Sequence, residues 1–467
     1  MVKASANKIE MGHGPILPAL IRFAVPLALA NVMNLLFLTA DMVVIGRFGK
    51  PNALGAVGAS GSITNFLLAA ITGLGTAATV LASTCLGARH RERVKLVVHV
   101  TMALASLSGL VLGLFLWLAV DWLIQIARIP AAVAHDARTY LLCIAPAMPA
   151  ILVYSFGAGL LRAKGDTRRP FYFLVAAGVV NVALNLLFVV GFRMNVAGIG
   201  LATAIAHYVS CGLLVACLMR EEDEFHFVPA AMRLDRFTVA QILRIGVPTG
   251  FQGSVFSLSN FIIAASVNGF GPTVMNGNAA AGRIEGYVYV CMNCFGVAAM
   301  SFVGFNTGAG NWRRVSRTVV TACGLALGTG LVLGTLGTVF GRDLLRIFTA
   351  DPESIEHGMC RLRLVCGFYW LCGVMDSLAY SIRGMGYSSL PAIVSMIGAC
   401  GLRVLWIATL FSVPSFHTLF WLYMAYPVSW VVTDVAHAVC FARIFRGLSS
   451  KSGQRPARVG ASKGFCK

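Results

Sequence analysis

The sequence predicts an all-α polytopic membrane protein with twelve transmembrane helices in two six-helix lobes related by a parallel internal repeat. Hydrophobic residues make up 58% of the 467 residues and charged residues only 12%, with a mean hydropathy of +0.79. A soluble chain of this length would need far more surface charge. Long unbroken apolar runs exclude an outer-membrane barrel, whose strands alternate in polarity over about 10 residues.

An internal repeat supports the two-lobe prediction. Residues 162–170, RAKGDTRRP, correspond to residues 383–391, RGMGYSSLP, at an offset of 221, and Pro26 corresponds to Pro248 at 222. Each half has six spans, an even number, so both halves begin on the same side of the membrane. The repeat axis therefore runs along the membrane normal. Transporters built in this way hold substrate between the halves and move one against the other, and the architecture therefore predicts a transporter.

Twelve apolar runs reach the length of about 20 residues that a helix needs to span a bilayer. The first run is too long for the core of a signal peptide, so we expect it to remain as a span. In chain order the predicted spans are 16–46, 53–86, 95–120, 137–161, 170–192, 196–219, 239–270, 277–306, 315–340, 358–382, 388–412 and 414–445.

The basic residues predict the orientation. With the N-terminus in the cytoplasm, 26 of the 37 Lys and Arg residues lie on the cytoplasmic side, which is the positive-inside pattern. The net charge of +19 therefore indicates contact with membrane lipids and not with nucleic acid. The predicted parts are a cytoplasmic N-terminus at 1–15, an N-lobe at 16–219, a cytoplasmic inter-lobe loop at 220–238, a C-lobe at 239–445 and a basic cytoplasmic tail at 446–467.

The first span of each half contains a proline near its beginning. Pro26 and Pro248 each free a carbonyl group and permit a bend. A matched bend in both halves predicts a pair of hinges, and a static kink is the alternative.

Four acidic residues fall inside predicted spans, namely Asp41, Glu285, Asp376 and Asp434. Acids are costly in a bilayer, so each is a candidate for function. Asp41 lies toward the far end of the first span, and the nearest base that follows it in the sequence is Arg47. A carboxylate in this position suits the uptake and release of protons. The alternative is a structural carboxylate held by hydroxyls and amides.

Further polar residues lie in the fourth to sixth spans. Asn181 and Asn185 are one helical turn apart and share a face of the fifth span. Tyr140 and Thr203 could supply hydroxyl groups nearby. Amides that simply join helices together are the alternative interpretation.

A second candidate site lies in the C-lobe. Glu285 and Asp376 share their spans, or the neighbouring span, with the basic residues Arg283 and Arg403. Pairing of Arg283 with Glu285, or of Arg403 with Asp376, would be structural or a gate, whereas a free acid would be a second ion site.

The sequence offers no signal for a metal site or an enzyme. Cys291 and Cys294 form a C-x-x-C on an apolar helix, without a second pair at zinc spacing, and packing explains them. A catalytic cluster such as H-E-x-x-H is absent from the sequence. We therefore expect neither an enzyme nor a metal.

The polar residues are also part of sequence motifs that are similar to those of one family. Over about residues 11–445 the chain resembles the multidrug and toxic compound extrusion (MATE) transporters, and most closely their bacterial NorM and DinF branch. The motifs are GPIL at 14–17, FAVP at 23–26, TADMVVIGRFG at 39–49, LRAKGDTRRP at 161–170, NVALN at 181–185, NAAAGRIEGYVYV at 278–290 and RGMGYS at 383–388.

The resemblance implies an activity. Such transporters are antiporters of the bacterial plasma membrane that export amphipathic, mostly cationic compounds in exchange for H⁺ or Na⁺. It implies drugs or toxic metabolites as substrates, no cofactor, and a monomer. The alternative is a flippase for lipid-linked oligosaccharides, which shares the fold. A pyrophosphate headgroup would call for several cavity arginines, and only Arg283 and Arg403 are candidates.

The resemblance also implies roles for single residues. Asp41 matches the family's first-helix acid, with Tyr140, Asn181 and Thr203 around it, and with Asn185 these residues form the predicted cation-coupling site. Some members carry an aspartate where this chain has Asn185, and the seventh-helix acid of NorM-type members is absent here.

Overall fold

The structure, a computed structural model, describes residues 9–50 and 52–453. Within these residues it contains twelve helices long and apolar enough to cross a membrane and no strand. Each coincides with one predicted span, so the predicted fold class is confirmed. Helices α1 to α12 are Ile16–Phe48, Ala53–Gly87, Arg91–Leu118, Ala131–Lys164, Arg168–Gly191, Asn195–Met219, Arg236–Asn268, Pro272–Gly308, Trp312–Val339, Pro352–Gly384, Ser389–Ser412 and Leu419–Gly453.

Several helices contain local irregularities. In α4 a 3₁₀ turn at Ala145–Ala147 follows from Pro146, which lacks the N–H that an α-helix requires. Helices α5 and α11 contain π-helical turns at Leu186–Gly191 and Met396–Gly401. Short helices at Val120–Ile126 and Gly341–Arg346 follow α3 and α9.

The chain forms two compact units. Of the described residues, unit 1 contains Ile9 and Leu29–Gly250, and unit 2 contains Glu10–Ala28 and residues 251–453. Two of the three boundaries fall inside a helix, two residues after Pro26 in α1 and two residues after Pro248 in α7.

These units differ from the predicted lobes in the assignment of two helices. The prediction placed α1 wholly in the N-lobe and α7 wholly in the C-lobe. In the structure the beginning of α1 belongs to unit 2 and the beginning of α7 belongs to unit 1. Each helix has 33 residues, about 50 Å at 1.5 Å per residue, so its two ends reach different neighbours.

The chain termini lie only partly within the described residues. Helix α12 continues to Gly453, so the first eight residues of the predicted tail are helical. The remainder of that tail, 454–467, and residues 1–8 of the predicted cytoplasmic N-terminus lie outside the described residues.

Glycines bring α7 close to α2 within unit 1. A Cβ atom on Gly73 of α2 would lie 2.4 Å from the carbonyl oxygen of Gly246 and 2.4 Å from the backbone nitrogen of Gly250. Small residues four apart allow two helix backbones to approach in this way. The two α7 glycines flank Pro248, so this part of the helix is tightly packed.

The beginning of α1 packs less tightly within unit 2. Phe23 contacts Phe302 of α8 edge to face, with the ring centroids 5.6 Å apart. At the repeat positions of the two α7 glycines, α1 has Ala24 and Ala28. With Val25 they line an apolar groove of about 480 Å³ against α8 and α9.

Within unit 1, a buried ion-pair network joins the predicted inter-lobe loop to the end of α4 and the beginning of α5. Lys164 pairs with Glu221 and with Asp223, at 2.6 Å for the latter, and Arg169 pairs with Asp166 and Glu221. Lys164, Asp166 and Glu221 are all at most 5% exposed. Two cations and three acids therefore offset one another where α4, α5 and α6 end or begin.

Candidate functional site

A chain of hydrogen bonds connects four of the five predicted coupling residues. Asn185 donates through Nδ2 to Asp41 Oδ1 and to Asn181 Oδ1, the latter at 3.3 Å. Asn181 donates in turn to Thr203 Oγ1 at 3.4 Å. Asp41 is 6% exposed and Asn185 is fully buried. Helices α1, α5 and α6 thus each contribute to one buried polar cluster.

Local sequence explains how α1 and α5 meet. A Cβ atom on Gly178 of α5 would lie 1.9 Å from the Phe37 ring of α1, so only glycine permits this approach. Asp41 lies one turn after Phe37, and Asn181 lies one turn after Gly178. The close approach of the two helices therefore sets the carboxylate opposite the amides.

The fifth predicted residue lies close to this cluster. Tyr140 of α4 is 7% exposed and lies within electrostatic range of Asp41. In the part of the chain that the structure describes, Asp41 forms no ion pair, and only Asn185 bonds to its carboxylate. The acceptor of the same amide, Asn185 Oδ1, is buried without a hydrogen-bond partner among the same residues.

In unit 2, Glu285 is paired with Arg361, a residue that was not predicted as its partner from the sequence. Arg361 of α10 donates through Nε and Nη2 to the two carboxylate oxygens, both at 2.7 Å, and through Nη1 to Asn278 Oδ1 at 2.6 Å. Tyr423 also donates to Asn278 Oδ1, at 3.2 Å. Arg283, considered as the partner from the sequence, is exposed.

Asp376 has neutral partners. Asn293 of α8 donates to its Oδ2 at 2.9 Å, and the Tyr289 hydroxyl also bonds to it. Asp376 and Glu285 therefore lie in separate hydrogen-bonded groups. The structure brings together the predicted N-lobe residues but not the two predicted C-lobe acids.

Arg403 is not the partner of Asp376. Its Nε donates to Ser429 Oγ at 2.9 Å, and its guanidinium stacks on the rings of Tyr426 and Trp430, at 4.4 and 5.7 Å from the centroids. The side chain is 2% exposed. Stacking on aromatic faces offsets part of the cost of burying this charge.

A sequence signal for Arg361 did exist. It lies inside the tenth predicted span, where a basic residue is as costly as an acid. Asn278 and Asn293, which also bond to the unit 2 groups, carry no comparable signal, since single asparagines are common between membrane helices.

The comparison with known families identifies the chain. A family model described as MatE matches it twice, at residues 26–187 and 248–409. The chain belongs to the MatE family. The two matches begin at Pro26 and Pro248, which confirms the internal repeat, and the predicted family is confirmed with it. The MatE family is one of transporters and not of enzymes, and the twelve helices make this chain a multi-pass membrane protein.

Known relatives carry related names. The probable multidrug resistance protein YoeA of Bacillus subtilis is 25% identical over 82% of this chain and 84% of its own length. The probable multidrug resistance protein NorM of Thermotoga maritima is 25% identical over 81% of this chain and 82% of its own. A solved structure, "Crystal structure of MATE in complex with MaL6", has a TM-score of 0.88 at 18% identity, and the match covers 96% of this chain and all of that one.

Proposed function

We propose that this protein is a secondary active antiporter that exports amphipathic, mostly cationic compounds in exchange for H⁺ or Na⁺ by alternating access. The observation that supports this most is the buried carboxylate of Asp41, whose hydrogen-bond partner among the described residues is the neutral amide of Asn185. A buried acid without a counter-ion is costly in a membrane and is typical of ion pathways. The multidrug resistance names of the relatives agree with this substrate class.

Proton uptake at Asp41 would change its hydrogen bonds. The ionised carboxylate can only accept, and it accepts from Asn185 Nδ2. The protonated acid becomes a donor, and half a turn of the Asn185 amide would present its unpartnered Oδ1 as the acceptor. That turn would also change the bond to Asn181. Such a difference between protonation states is what a coupling ion needs in order to shift a conformational equilibrium.

Sodium could use the same oxygen atoms. The Asp41 carboxylate, the amide oxygens of Asn181 and Asn185 and the hydroxyl of Thr203 form a set of hard oxygen ligands. Whether it is H⁺ or Na⁺, the ion would compete with a cationic substrate for the negative charge of the Asp41 carboxylate. That competition would make the exchange obligatory.

Pro26 and Pro248 would act as hinges within this cycle. Each lies next to the point where its helix passes from one unit to the other. Movement of one repeat against the other requires α1 and α7 to change shape near these points. We place the N-terminus and the loop at 220–238 in the cytoplasm of a bacterial cell, because the basic residues favour that orientation.

The flippase alternative has less support. A pyrophosphate headgroup would need several cationic side chains available to it. In the described part of the chain, Arg361 is held by Glu285 and Arg403 is stacked on Tyr426.

Transport into proteoliposomes tests the proposal. Purified protein would be assayed with ethidium under a pH gradient alone, a Na⁺ gradient alone, and neither. We expect dye accumulation with one imposed gradient and none without a gradient. A protein verified in the vesicles that moves no cationic dye under either gradient, but moves a fluorescent lipid-linked sugar, would contradict the antiporter and favour the flippase.

A further inference from the structure

Two arginines at equivalent positions of the repeat hold the beginnings of α1 and α7. Arg93 and Arg314 are the third residues of α3 and α9 and lie 221 residues apart. We propose that they are positioning residues of the transport cycle, each tying the first helix of one half of the sequence to the other half. This inference rests on the proposed function, since it assigns these residues a role in the same cycle.

Arg314 grips the backbone that precedes α1. Its Nε, Nη1 and Nη2 donate to the carbonyl oxygens of Met11, Gly14 and His13, at 2.8, 2.8 and 2.7 Å. Asn306 donates to the Met11 oxygen as well, at 3.0 Å. All guanidinium nitrogens are therefore used on a segment of four residues, a geometry that the planar fork of arginine permits and a lysine cannot reproduce.

Close packing supports the same contact. A Cβ atom on Gly12 would lie 2.9 Å from the Phe305 ring of α8, and Met11 is 3% exposed. The segment 10–14 is thus seated within unit 2 by both hydrogen bonds and packing.

Arg93 holds the beginning of α7 by side-chain contacts. It donates to Gln241 Oε1 at 3.1 Å, stacks on Phe237 at 5.1 Å from the ring centroid, and lies 3.9 Å from Asp235 Oδ2. Hydrogen bonds from the hydroxyl and backbone N–H of Thr238 hold the pKa of Asp235 below its ordinary value. Asp235, the acid immediately before α7, is therefore charged at neutral pH and attracts the arginine.

The two contacts cross between the halves of the sequence in opposite directions. Arg93 belongs to the first half and holds the first helix of the second half, and Arg314 does the reverse. Both helices change unit two residues after their proline, at Ala28 and Gly250. With these segments held, a change of shape in α1 or α7 must occur beyond Gly14 and Gln241, in the stretches that contain Pro26 and Pro248.

Two variants and a matched control test this role in the full-length protein. Arg314→Ala removes all three bonds, Arg314→Lys retains one donor group, and Arg313→Ala removes the same charge from an exposed neighbour. In a cysteine-free background, Met11→Cys reports release of the segment by its rate of maleimide labelling in purified protein.

The expected order of effects is specific. Arg314→Ala should raise Met11→Cys labelling by at least about tenfold, because it removes three hydrogen bonds from a charged group and a single one is worth roughly that factor. It should lower the maximal rate of dye transport while the equilibrium affinity for the dye stays constant. Arg314→Lys should fall between Arg314→Ala and the wild type, and Arg313→Ala should equal the wild type.

Each other outcome contradicts the inference. Unchanged labelling in Arg314→Ala would show that the arginine does not hold the segment, whether or not the protein transports dye. Increased labelling with an unchanged maximal rate would show a structural role only. If Arg314→Ala does not accumulate, Arg314→Lys and Asn306→Ala replace it in the test. Each must then raise Met11→Cys labelling and lower the maximal rate of dye transport, by smaller factors than those expected for Arg314→Ala. A wild-type protein that transports no dye would contradict the proposed function. The labelling rate would then still test whether Arg314 holds the segment 10–14.

Discussion

The two units differ in the partner that they provide for a buried acid. In unit 1 Asp41 accepts a hydrogen bond from a neutral amide, whereas in unit 2 Glu285 is held by both arms of the Arg361 guanidinium. The repeat places Thr64 at the position of Glu285 and Tyr140 at the position of Arg361. Equivalent positions therefore carry hydroxyls in one half and an ion pair in the other.

This difference separates two uses of charge in a membrane. A bidentate ion pair is neutral as a whole, and its members lose much if either changes its charge. A carboxylate among amides and hydroxyls can gain a proton or a sodium ion and keep its neighbours satisfied. Under the proposed function, Asp41 is the coupling residue and Glu285 is structural, and three variants test this difference.

The largest expected effect comes from removing Arg361. Arg361→Ala leaves Glu285 buried without a counter-charge, and loss of one partner of a buried pair costs about 3–5 kcal/mol. We expect a matching drop in the unfolding free energy in detergent, or failure to accumulate. Adding Glu285→Gln should recover much of that loss, since the amide carries no charge. Arg283→Ala, at an exposed position, should leave stability unchanged. Equal stability of the two arginine variants would show that the pair is not structural.

Asp41→Asn should have the opposite effect, with stability retained and gradient-driven export lost. The substitution removes a buried charge and keeps the shape, so the protein should be at least as stable as the wild type. Export driven by an ion gradient should fall to background, because the titrating group is gone. Asp121→Asn, on an exposed ion pair with Arg138, is the control and should export normally. Wild-type export by Asp41→Asn would move the coupling role to Asp376.

Asn181→Ala should produce the smallest effect of the three. Asn181 bonds to Asn185 and Thr203 but not to the carboxylate itself. Losing such a neutral hydrogen bond costs about 1 kcal/mol, so the coupled export rate should fall roughly fivefold. Initial rates of dye efflux at a fixed pH gradient measure this. A loss as complete as that of Asp41→Asn would mean that the amide is itself essential for ion binding.

Helical spacing made part of the site predictable from the sequence. Asn181 and Asn185 share a face because they are four residues apart, and the structure places them on one cluster. The contact between Asp41 and Asn185 spans 144 residues, and only the family resemblance suggested it. Arg361 and Glu285 are 76 residues apart, and an apolar run does not reveal which face of a helix meets which neighbour.

The unit boundaries were hidden from sequence for a related reason. Lipid and protein neighbours are equally apolar in a membrane, so the run at 16–46 shows no change of character where α1 leaves unit 2. Pro26 and Pro248 mark the places, and sequence alone could not distinguish a hinge from a kink.

The exchange of helix beginnings limits how the chain can be divided. A cut in the loop at 220–235 would separate the two sequence repeats, but neither fragment would contain a complete unit. The first fragment would lack residues 236–250, whose glycines pack against Gly73, and the second would lack residues 10–28, which include Phe23 beside Phe302. Each sequence repeat needs a piece of the other to complete its unit, so a cut between the repeats would leave both units incomplete.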